Sequence, residues 1–160
     1  MRSFLLGSTI FGIAILSGCA SLTPGSSRET DVIAHFGKPA EERRLPNNIR
    51  QLDFPRAPMG YENWRVTLSA DGTVQTVEQL LDEAHFRKLQ PGMSMDEVKG
   101  ALGRPAELNA FPRLAEQVLS WRFMEPGRGM FFNAHFDASG RLKYTSRSEE
   151  LIPQNDGSSP

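Results

Sequence analysis

The sequence predicts an α+β fold built as a tandem repeat, in which one or more helices precede a three-stranded antiparallel meander and pack on one sheet face. An internal duplication and a pattern of alternating apolar residues predict it. Asp31–Glu41 matches Glu97–Glu107 at an offset of 66 residues, and Trp64–Val74 matches Phe132–Leu142 at an offset of 68. Two matches in the same order, one at a helix end and one at a hairpin, indicate a repeated unit.

Residues 1–18 have the pattern of an export signal. Arg2 supplies a positive charge, and the 13 residues from Phe4 to Leu16 carry no charge. This apolar stretch is shorter than the roughly 20 residues that a membrane-spanning helix needs, but it has the length of a signal-peptide core. We therefore predict that residues 1–18 are removed from the mature protein.

Cys19 directly follows this leader, in the sequence Leu-Ser-Gly-Cys. The order resembles the lipobox of bacterial lipoproteins, which implies a diacylglycerol thioether on the Cys19 sulfur and a further acyl chain on the new amine. Two or more acyl chains anchor a protein stably to a membrane. The alternative is a secretory signal with an incidental cysteine. It would carry the only cysteine of the chain as a lone thiol into an oxidising compartment.

The mature chain is expected at the outer membrane, on its periplasmic face. In Gram-negative lipoproteins, which this leader resembles, an Asp after the lipidated cysteine favours the inner membrane, and this chain has Ala20 there. Residues 19–25 form a short lipidated tether that keeps the folded part near the bilayer. Residues 153–160 are polar and rich in Gly, Ser and Pro, so residues 151–160 are predicted to be a disordered tail.

The first repeat is predicted over residues 26–81. Ser26 and Glu29 have the spacing of a capping box at a helix start, and Gly37 is placed to end that helix. Strand residues alternate between apolar and polar from Trp64 to Leu68, and Asp71-Gly72 has the composition of a hairpin turn.

The second repeat is predicted over residues 82–150. It opens with a short linking helix, Asp82–Leu89, followed by a second capping box at Ser94 and Glu97 and a helix stop at Gly103. Two alternating strands and a hairpin turn follow, at Leu119, Trp121 and Phe123, at Phe132, Ala134 and Phe136, and at Ser139-Gly140.

One face of each predicted sheet is polar. Arg65 and Thr67 lie on it in the first repeat, and Asn133 and His135 in the second, so this face can contact water or a partner. The two repeats share one sheet or pack as tandem lobes. An exposed edge strand is a further possible docking surface, through strand addition.

The second repeat carries a longer motif. Its order is Gly92-Met-Ser, Glu97-Val, Leu102-Gly-Arg-Pro, an aromatic strand at Trp121, and Phe136-Asp-Ala-Ser-Gly. The segment resembles the BamE (SmpA/OmlA) family of outer-membrane lipoproteins. The resemblance implies an α+β fold and a non-enzymatic accessory role in the machine that inserts β-barrel proteins, with contacts to other lipoproteins and to phosphatidylglycerol.

The chain departs from that family because it has two copies of the unit where the family's namesake has one. Tandem copies more distantly resemble the β-lactamase inhibitory protein, whose repeats form a concave surface that grips an enzyme. That protein is disulfide-bonded, whereas a chain with one cysteine forms no internal disulfide.

Composition argues against two other classes of function. The formal net charge is −1, without the basic excess of a nucleic-acid binder. Sequence motifs of hydrolases, metalloproteases and phosphate-binding loops are missing, and His35, His85 and His135 lack the spacing of metal ligands. We therefore expect no enzymatic activity, no cofactor and no metal.

Two loops are candidate partner-binding sites. The loop over residues 55–61 contains Arg56, Met59 and Tyr61, and the loop over residues 125–130 contains Arg128 and Met130. Arg, Met and Tyr are enriched at protein interfaces, although the same pattern fits a solvated hairpin loop.

The predicted function is that of a lipid-anchored protein-binding or scaffold module, acting in β-barrel assembly or envelope integrity. Its expected partners are the membrane, through Cys19, and an envelope protein. Two alternatives stay open. One is an inhibitor of a hydrolase, and the other is an enzyme or small-ligand carrier, which would need a deep polar pocket.

Overall fold

The computed structural model describes residues 21–150. They form two separate four-stranded antiparallel sheets, and in each sheet the spatial order of the strands follows the chain order. The first sheet contains β1 (Glu41–Arg44), β2 (Arg50–Pro55), β3 (Asn63–Leu68) and β4 (Val74–Gln79). The second contains β5 (Glu107–Phe111), β6 (Glu116–Glu125), β7 (Arg128–Phe136) and β8 (Leu142–Glu149).

Three short α-helices accompany the sheets: α1 (Glu29–Phe36), α2 (Glu83–Phe86) and α3 (Met95–Leu102). Within residues 21–150, none of them has the length and apolar character that crossing a membrane requires.

The predicted tandem of helices and a three-stranded meander is wrong, because each sheet has a fourth strand. β1 and β5 lie between the helix and the three strands that the sequence pattern revealed. The prediction also overstated the helices as a layer over one sheet face. Helices α1 and α3 have eight residues each, or about 12 Å of length. They contribute one and two buried residues, respectively.

Each sheet has its own hydrophobic core. The first core centres on Val32 of α1 and on apolar residues of β2–β4, namely Leu52, Phe54, Val66, Leu68 and Val74. The second is larger and combines Val98 and Leu102 of α3 with Phe86 of α2 and the inward residues of β6–β8. Trp121 and Phe136 are its largest fully buried side chains.

The helix ends follow the predicted glycines but not the predicted first cap. Helices α1 and α3 end before Gly37 and Gly103, whose φ angles of +83° and +75° require a residue without Cβ strain. Ser94 caps α3 as predicted. The N-cap of α1 is Arg28, whose N–H donates to the Asp31 carboxylate at 2.7 Å. Ser26 is therefore not the cap.

The polar face of the first sheet is covered by the second half of the chain. Arg65 is only 7% exposed, and its Nη1 donates to the carbonyl of Gly100 in α3 at 2.7 Å. The Asn63 amide donates to the carbonyls of Leu102 and Arg104 at 2.7 and 2.9 Å. The face expected to meet water or a partner at Arg65 therefore meets the C-terminal end of α3.

Three predicted segments lie outside the described residues: the signal peptide over residues 1–18, Cys19, and the tail over residues 151–160. The predicted boundary between the repeats, after residue 81, falls between the end of β4 at Gln79 and the start of α2 at Glu83.

Candidate protein-binding surface

The five predicted partner-binding residues do not share one environment. Arg56 and Arg128 are exposed, and Met59 is 71% exposed. Tyr61 is half-buried. Met130 is 6% exposed and belongs to the second core, because it lies on the inward face of β7 opposite Phe123. Its side chain is therefore not available to a partner.

The structure brings the loop between β2 and β3 onto the second sheet. Arg122 of β6 donates to the carbonyl of Pro58 at 3.5 Å and to the sulfur of Met59 at 3.2 Å. The Tyr61 hydroxyl donates to the Glu150 carboxylate at 2.8 Å, and Glu150 also pairs with Arg122. These contacts fix the position of the loop relative to β6 and β8.

Arg122 is the residue on which this junction depends. Its guanidinium lies 5.7 Å from the ring centre of Tyr61 and 5.5 Å from that of Phe131, distances at which a cation and an aromatic ring attract each other. The side chains of Arg122 and Glu150 are only 13% and 11% exposed. Sequence reasoning passed over Arg122, although an arginine amid the alternating apolar residues of a strand was a signal.

A network of polar side chains continues this surface across β6, β7 and β8. The Ser120 hydroxyl donates to the side-chain oxygen of Asn133 at 2.8 Å, and the side-chain amide nitrogen of Asn133 donates to the Ser148 hydroxyl at 3.1 Å. His135 contacts Ser146, and the rings of His135 and Tyr144 stack with centres 4.2 Å apart. Tyr144 is 48% exposed.

We call this surface the open face. It consists of the outward side chains of β6–β8 and of two side chains from the loop between β2 and β3 that packs against them. Its members are Arg122, Phe131, Asn133, His135, Tyr144, Ser146, Ser148, Met59 and Tyr61.

Electrostatics at one end of the open face are set by Glu116. Its carboxylate accepts hydrogen bonds from Lys143 at 2.7 Å and contacts His135 at 2.8 Å. The bond from Lys143, followed by that from His135, lowers the pKa of Glu116. The bond to Glu116 raises the pKa of Lys143. Both groups are therefore charged at neutral pH.

Ser146, His135 and Glu116 have the hydrogen-bond order of a hydrolytic triad. The Ser146 hydroxyl is 2.9 Å from His135 Nε2, and Glu116 is 2.8 Å from Nδ1. Acyl transfer also needs N–H donors that converge on the developing oxyanion. Ser146 lies within β8, paired with Asn133, so its neighbouring main-chain N–H groups point along the sheet plane rather than above the hydroxyl. The three residues therefore form a hydrogen-bonded surface network.

The histidines and carboxylates of the described residues lack the arrangement that a metal site requires. No group of three or more His, Cys, Asp or Glu side chains within residues 21–150 is arranged to hold a metal ion. His35, His85 and His135 lie on three different elements, the first two in α1 and α2 and the third in β7.

Two solved structures are similar to this chain. One is a DUF4309 family protein (YjgB) from Bacillus subtilis, with 15% identity, a TM-score of 0.30 and coverage of 81% of this chain and 82% of that one. The other is a "putative beta-lactamase inhibitor protein" from Streptococcus mutans, with 14% identity, a TM-score of 0.35 and coverage of 76% and 82%. No family model and no curated protein matches the chain. The resemblance to BamE proteins therefore gains no support from these comparisons.

Proposed function

We propose that this protein is a protein-binding module that presents the open face of its second sheet to a partner. The observation that carries the proposal is an asymmetry between the two sheets. The polar face of the first sheet is occupied by α3 through Asn63 and Arg65. Helices α2 and α3 pack on the opposite, core face of the second sheet, and Tyr144 on the polar face is 48% exposed.

The composition of the open face suits a protein partner. It combines Tyr61, Phe131 and Tyr144 with Met59, and aromatic and methionine side chains are enriched at protein interfaces. Phe131 and Tyr144 stand on paired strands, and the loop is fixed by Arg122 and Glu150. Less side-chain entropy is lost on binding when the contacting groups are already held in place.

We also propose that this module is attached to a membrane through lipid on Cys19. With diacylglycerol on Cys19, the folded part would be held at the periplasmic face of the outer membrane, next to other envelope proteins. The partner we propose is one of these proteins, in β-barrel assembly or in another process that maintains the envelope.

Co-purification with matched variants tests the proposal. One variant carries Met59→Ala and Tyr144→Ala on the open face, at side chains that are 71% and 48% exposed. The control carries Ile33→Ala and Leu45→Ala, which are 39% and 40% exposed on the first half. The tagged proteins are purified from detergent-solubilised envelopes, and co-purifying proteins are quantified by mass spectrometry.

We expect the control to co-purify the same amount of partner as the unmodified chain. The open-face variant should co-purify at least tenfold less of that partner. Equal recovery by both variants, or recovery of the unmodified chain alone, would contradict the proposal.

The inhibitor hypothesis is a second proposal for the same surface. A rigid face with exposed Tyr144 and Met59 would serve equally to block a hydrolase. Under this hypothesis the purified protein reduces the activity of a periplasmic or foreign hydrolase, such as a β-lactamase, at low molar excess, and the open-face variant does not. An inactive wild-type protein across a panel of hydrolases would count against it.

A further inference from the structure

A shallow apolar groove lies on the first half, where the described residues begin. Its volume is about 320 Å³, and its apolar lining consists of Leu22, Phe36, Trp64 and Val77. All four side chains pack against the first core but stay partly exposed. Helix α1 has eight residues and contributes one buried residue to this core, so it leaves this end of the apolar sheet face open. We call this feature the N-terminal groove.

The chain is held against the first sheet from the groove onward. Ser21 lines the groove, and Leu22 packs on the first core. The Gly25 N–H then donates to the Val74 carbonyl at 2.8 Å. Cys19 precedes Ser21 by two residues, which span at most about 7 Å. The proposed lipid attachment therefore lies directly beside the groove.

We propose that the N-terminal groove rests on the headgroup interface of the bilayer that holds Cys19, with the Trp64 ring among the lipid headgroups. This inference rests on the proposed lipid at Cys19, and it goes beyond the proposed function because it assigns a second surface, separate from the open face, to phospholipid. Two or more acyl chains fix the anchor in the bilayer. The short tether then gives the groove a high effective concentration at the lipid surface.

The chemistry of Trp64 suits this position. Its ring packs on Phe36, with ring centres 5.8 Å apart, and its Nε1 donates to the exposed Glu62 carboxylate at 2.9 Å. A ring with one apolar side and one hydrated end is the kind that is enriched at membrane interfaces. Arg56 lies on the rim of the groove and is exposed. Its guanidinium can donate to a lipid phosphate.

The short tether is the reason that we favour lipid over a protein in this groove. An α-helix of a partner protein is about 10 Å across with its side chains. The two residues that join Ser21 to Cys19 span less than that. Phospholipids adapt their positions to the surface that they meet, so a bilayer needs no such gap.

The groove also orients the open face. The loop between β2 and β3 supplies Arg56 and Glu62 to the groove and Met59 to the open face, where Met59 contacts Arg122. The Arg122 end of the open face therefore lies next to the bilayer, and a partner that binds at this end is itself at the membrane.

Quenching of tryptophan fluorescence in vesicles tests the contact. The full chain, isolated from membranes, is reconstituted in vesicles of phosphatidylethanolamine and phosphatidylglycerol, with or without a phosphatidylcholine that carries a nitroxide on its headgroup. The chain has two tryptophans, and Trp121 is only 1% exposed within the second core. Trp64→Phe keeps Trp121 alone, so its difference from the unmodified chain reports on Trp64.

Two arginine variants with the same change of charge are the matched pair. Arg56→Glu places a carboxylate on the rim of the groove, where it repels lipid phosphate. Arg113→Glu makes the same change in the exposed turn that follows β5 in the second half. Flotation of the vesicles checks attachment of every variant separately.

We expect the nitroxide lipid to quench the unmodified chain at least twofold more strongly than Trp64→Phe. Arg56→Glu should lose at least half of that difference, and Arg113→Glu should retain it. Equal quenching of the two arginine variants would show random collision with the vesicle surface and would overturn the proposal.

The remaining outcomes separate this proposal from the others. A chain that floats with the vesicles but shows no quenching of Trp64 would overturn the proposal and leave the anchor standing, as would be found if a protein or a second copy covered the groove. A chain that does not float would remove the anchor and overturn the proposal with it. Neither result depends on co-purification, which tests the open face.

Discussion

Asp53 is a buried carboxylate that holds two arginines in the junction between the halves. Only 4% of the residue is exposed. Its two oxygens accept hydrogen bonds from Arg65 Nε and Nη2, both at 2.7 Å, and it also pairs with Arg43. Arg65 in turn reaches the Gly100 carbonyl. The carboxylate thereby orients the arginine that contacts α3.

The first prediction is that Asp53→Ala lowers the free energy of unfolding by about 3–5 kcal/mol, because it leaves Arg65 buried without a counter-charge. Asp96→Ala is the control, since the side chain of Asp96 is 96% exposed and its pair with Lys99 is a surface contact. The control should change stability by less than about 0.5 kcal/mol. Urea titration followed by circular dichroism measures both. Equal losses would refute the role of the buried pair.

The second prediction concerns Asp71 in the turn between β3 and β4. Hydrogen bonds from the Ser69 hydroxyl, then from the N–H and hydroxyl of Thr73, lower the pKa of Asp71 to about 2 from 3.8. The folded protein therefore favours the carboxylate. This contribution to stability is present above about pH 4 and is lost as the pH falls through about 2. NMR titration of the carboxyl carbon measures it, and a midpoint near 4 would contradict the turn geometry.

At the scale of single residues, the sequence identified residue types better than it identified environments. Met59 and Tyr61 were correctly placed together in a loop, but Met130 has the same composition signal and is buried. Successive side chains of β7 alternate between the core and the open face, and Met130 is at a position that points into the core. Arg122 and Glu150 were missed because their pairing depends on how the loop between β2 and β3 reaches the second sheet, which no local pattern encodes.

At the scale of elements, α3 is held at both ends by different means. At its N-terminus the Ser94 N–H donates to the Glu97 carboxylate at 2.7 Å, and the Glu97 N–H donates to the Ser94 hydroxyl at 3.3 Å. At its C-terminus the terminal carbonyls receive hydrogen bonds from Asn63 of β3. The first cap is local and was readable from the sequence, whereas the second comes from 39 residues away.

The third prediction is that Ser94→Ala lowers the free energy of unfolding by about 1 kcal/mol, the usual cost of losing an N-cap hydroxyl. Ser94→Thr should preserve most of the stability, because its hydroxyl can both accept from the Glu97 N–H and donate to the Glu97 carboxylate. Thermal unfolding of the two variants checks this. An unchanged Ser94→Ala variant would show that the capping box does not stabilise α3.

Glycines and turns revealed the helix ends and hairpins, since Gly72 and Gly140 have φ angles of +81° and +74° as a glycine hairpin turn requires. The strands β1 and β5 were not visible. Neither strand shows alternation between buried and exposed positions, and alternation was the signal that revealed the other strands. An edge strand with both faces in water has no reason to alternate.

At the scale of the whole molecule, the proposed membrane attachment depends on the sulfur atom of Cys19. The fourth prediction is that Cys19→Ala abolishes incorporation of labelled palmitate and moves the protein from the membrane fraction to the soluble fraction. Cys19→Ser is a matched variant that removes the thiol with little change in size. Labelling that persists in either variant would show that lipid is attached to another residue.

The fifth prediction concerns cooperativity between the halves. Each half has its own core, and at their junction Asn63 and Arg65 donate three hydrogen bonds to main-chain carbonyls at Gly100, Leu102 and Arg104. Asn63 is 3% exposed. Removing a buried donor leaves its acceptors unsatisfied, at a cost of about 1–3 kcal/mol. The Asn63→Ala substitution weakens the contact between the two halves and leaves both cores intact. We therefore expect the two halves to unfold together in the unmodified chain and separately in Asn63→Ala.

Hydrogen exchange with mass spectrometry under increasing urea measures the two halves at once, through peptides from β2–β3 and from β6–β7. In the unmodified chain, both sets should lose protection at the same urea concentration. In Asn63→Ala the first set should lose protection earlier, because its core is the smaller. Thr67→Ala on the same strand and face is the control and should leave the transitions together. Separate transitions in the unmodified chain would mean that the halves are tethered lobes, and that the cover over the first polar face does not couple them.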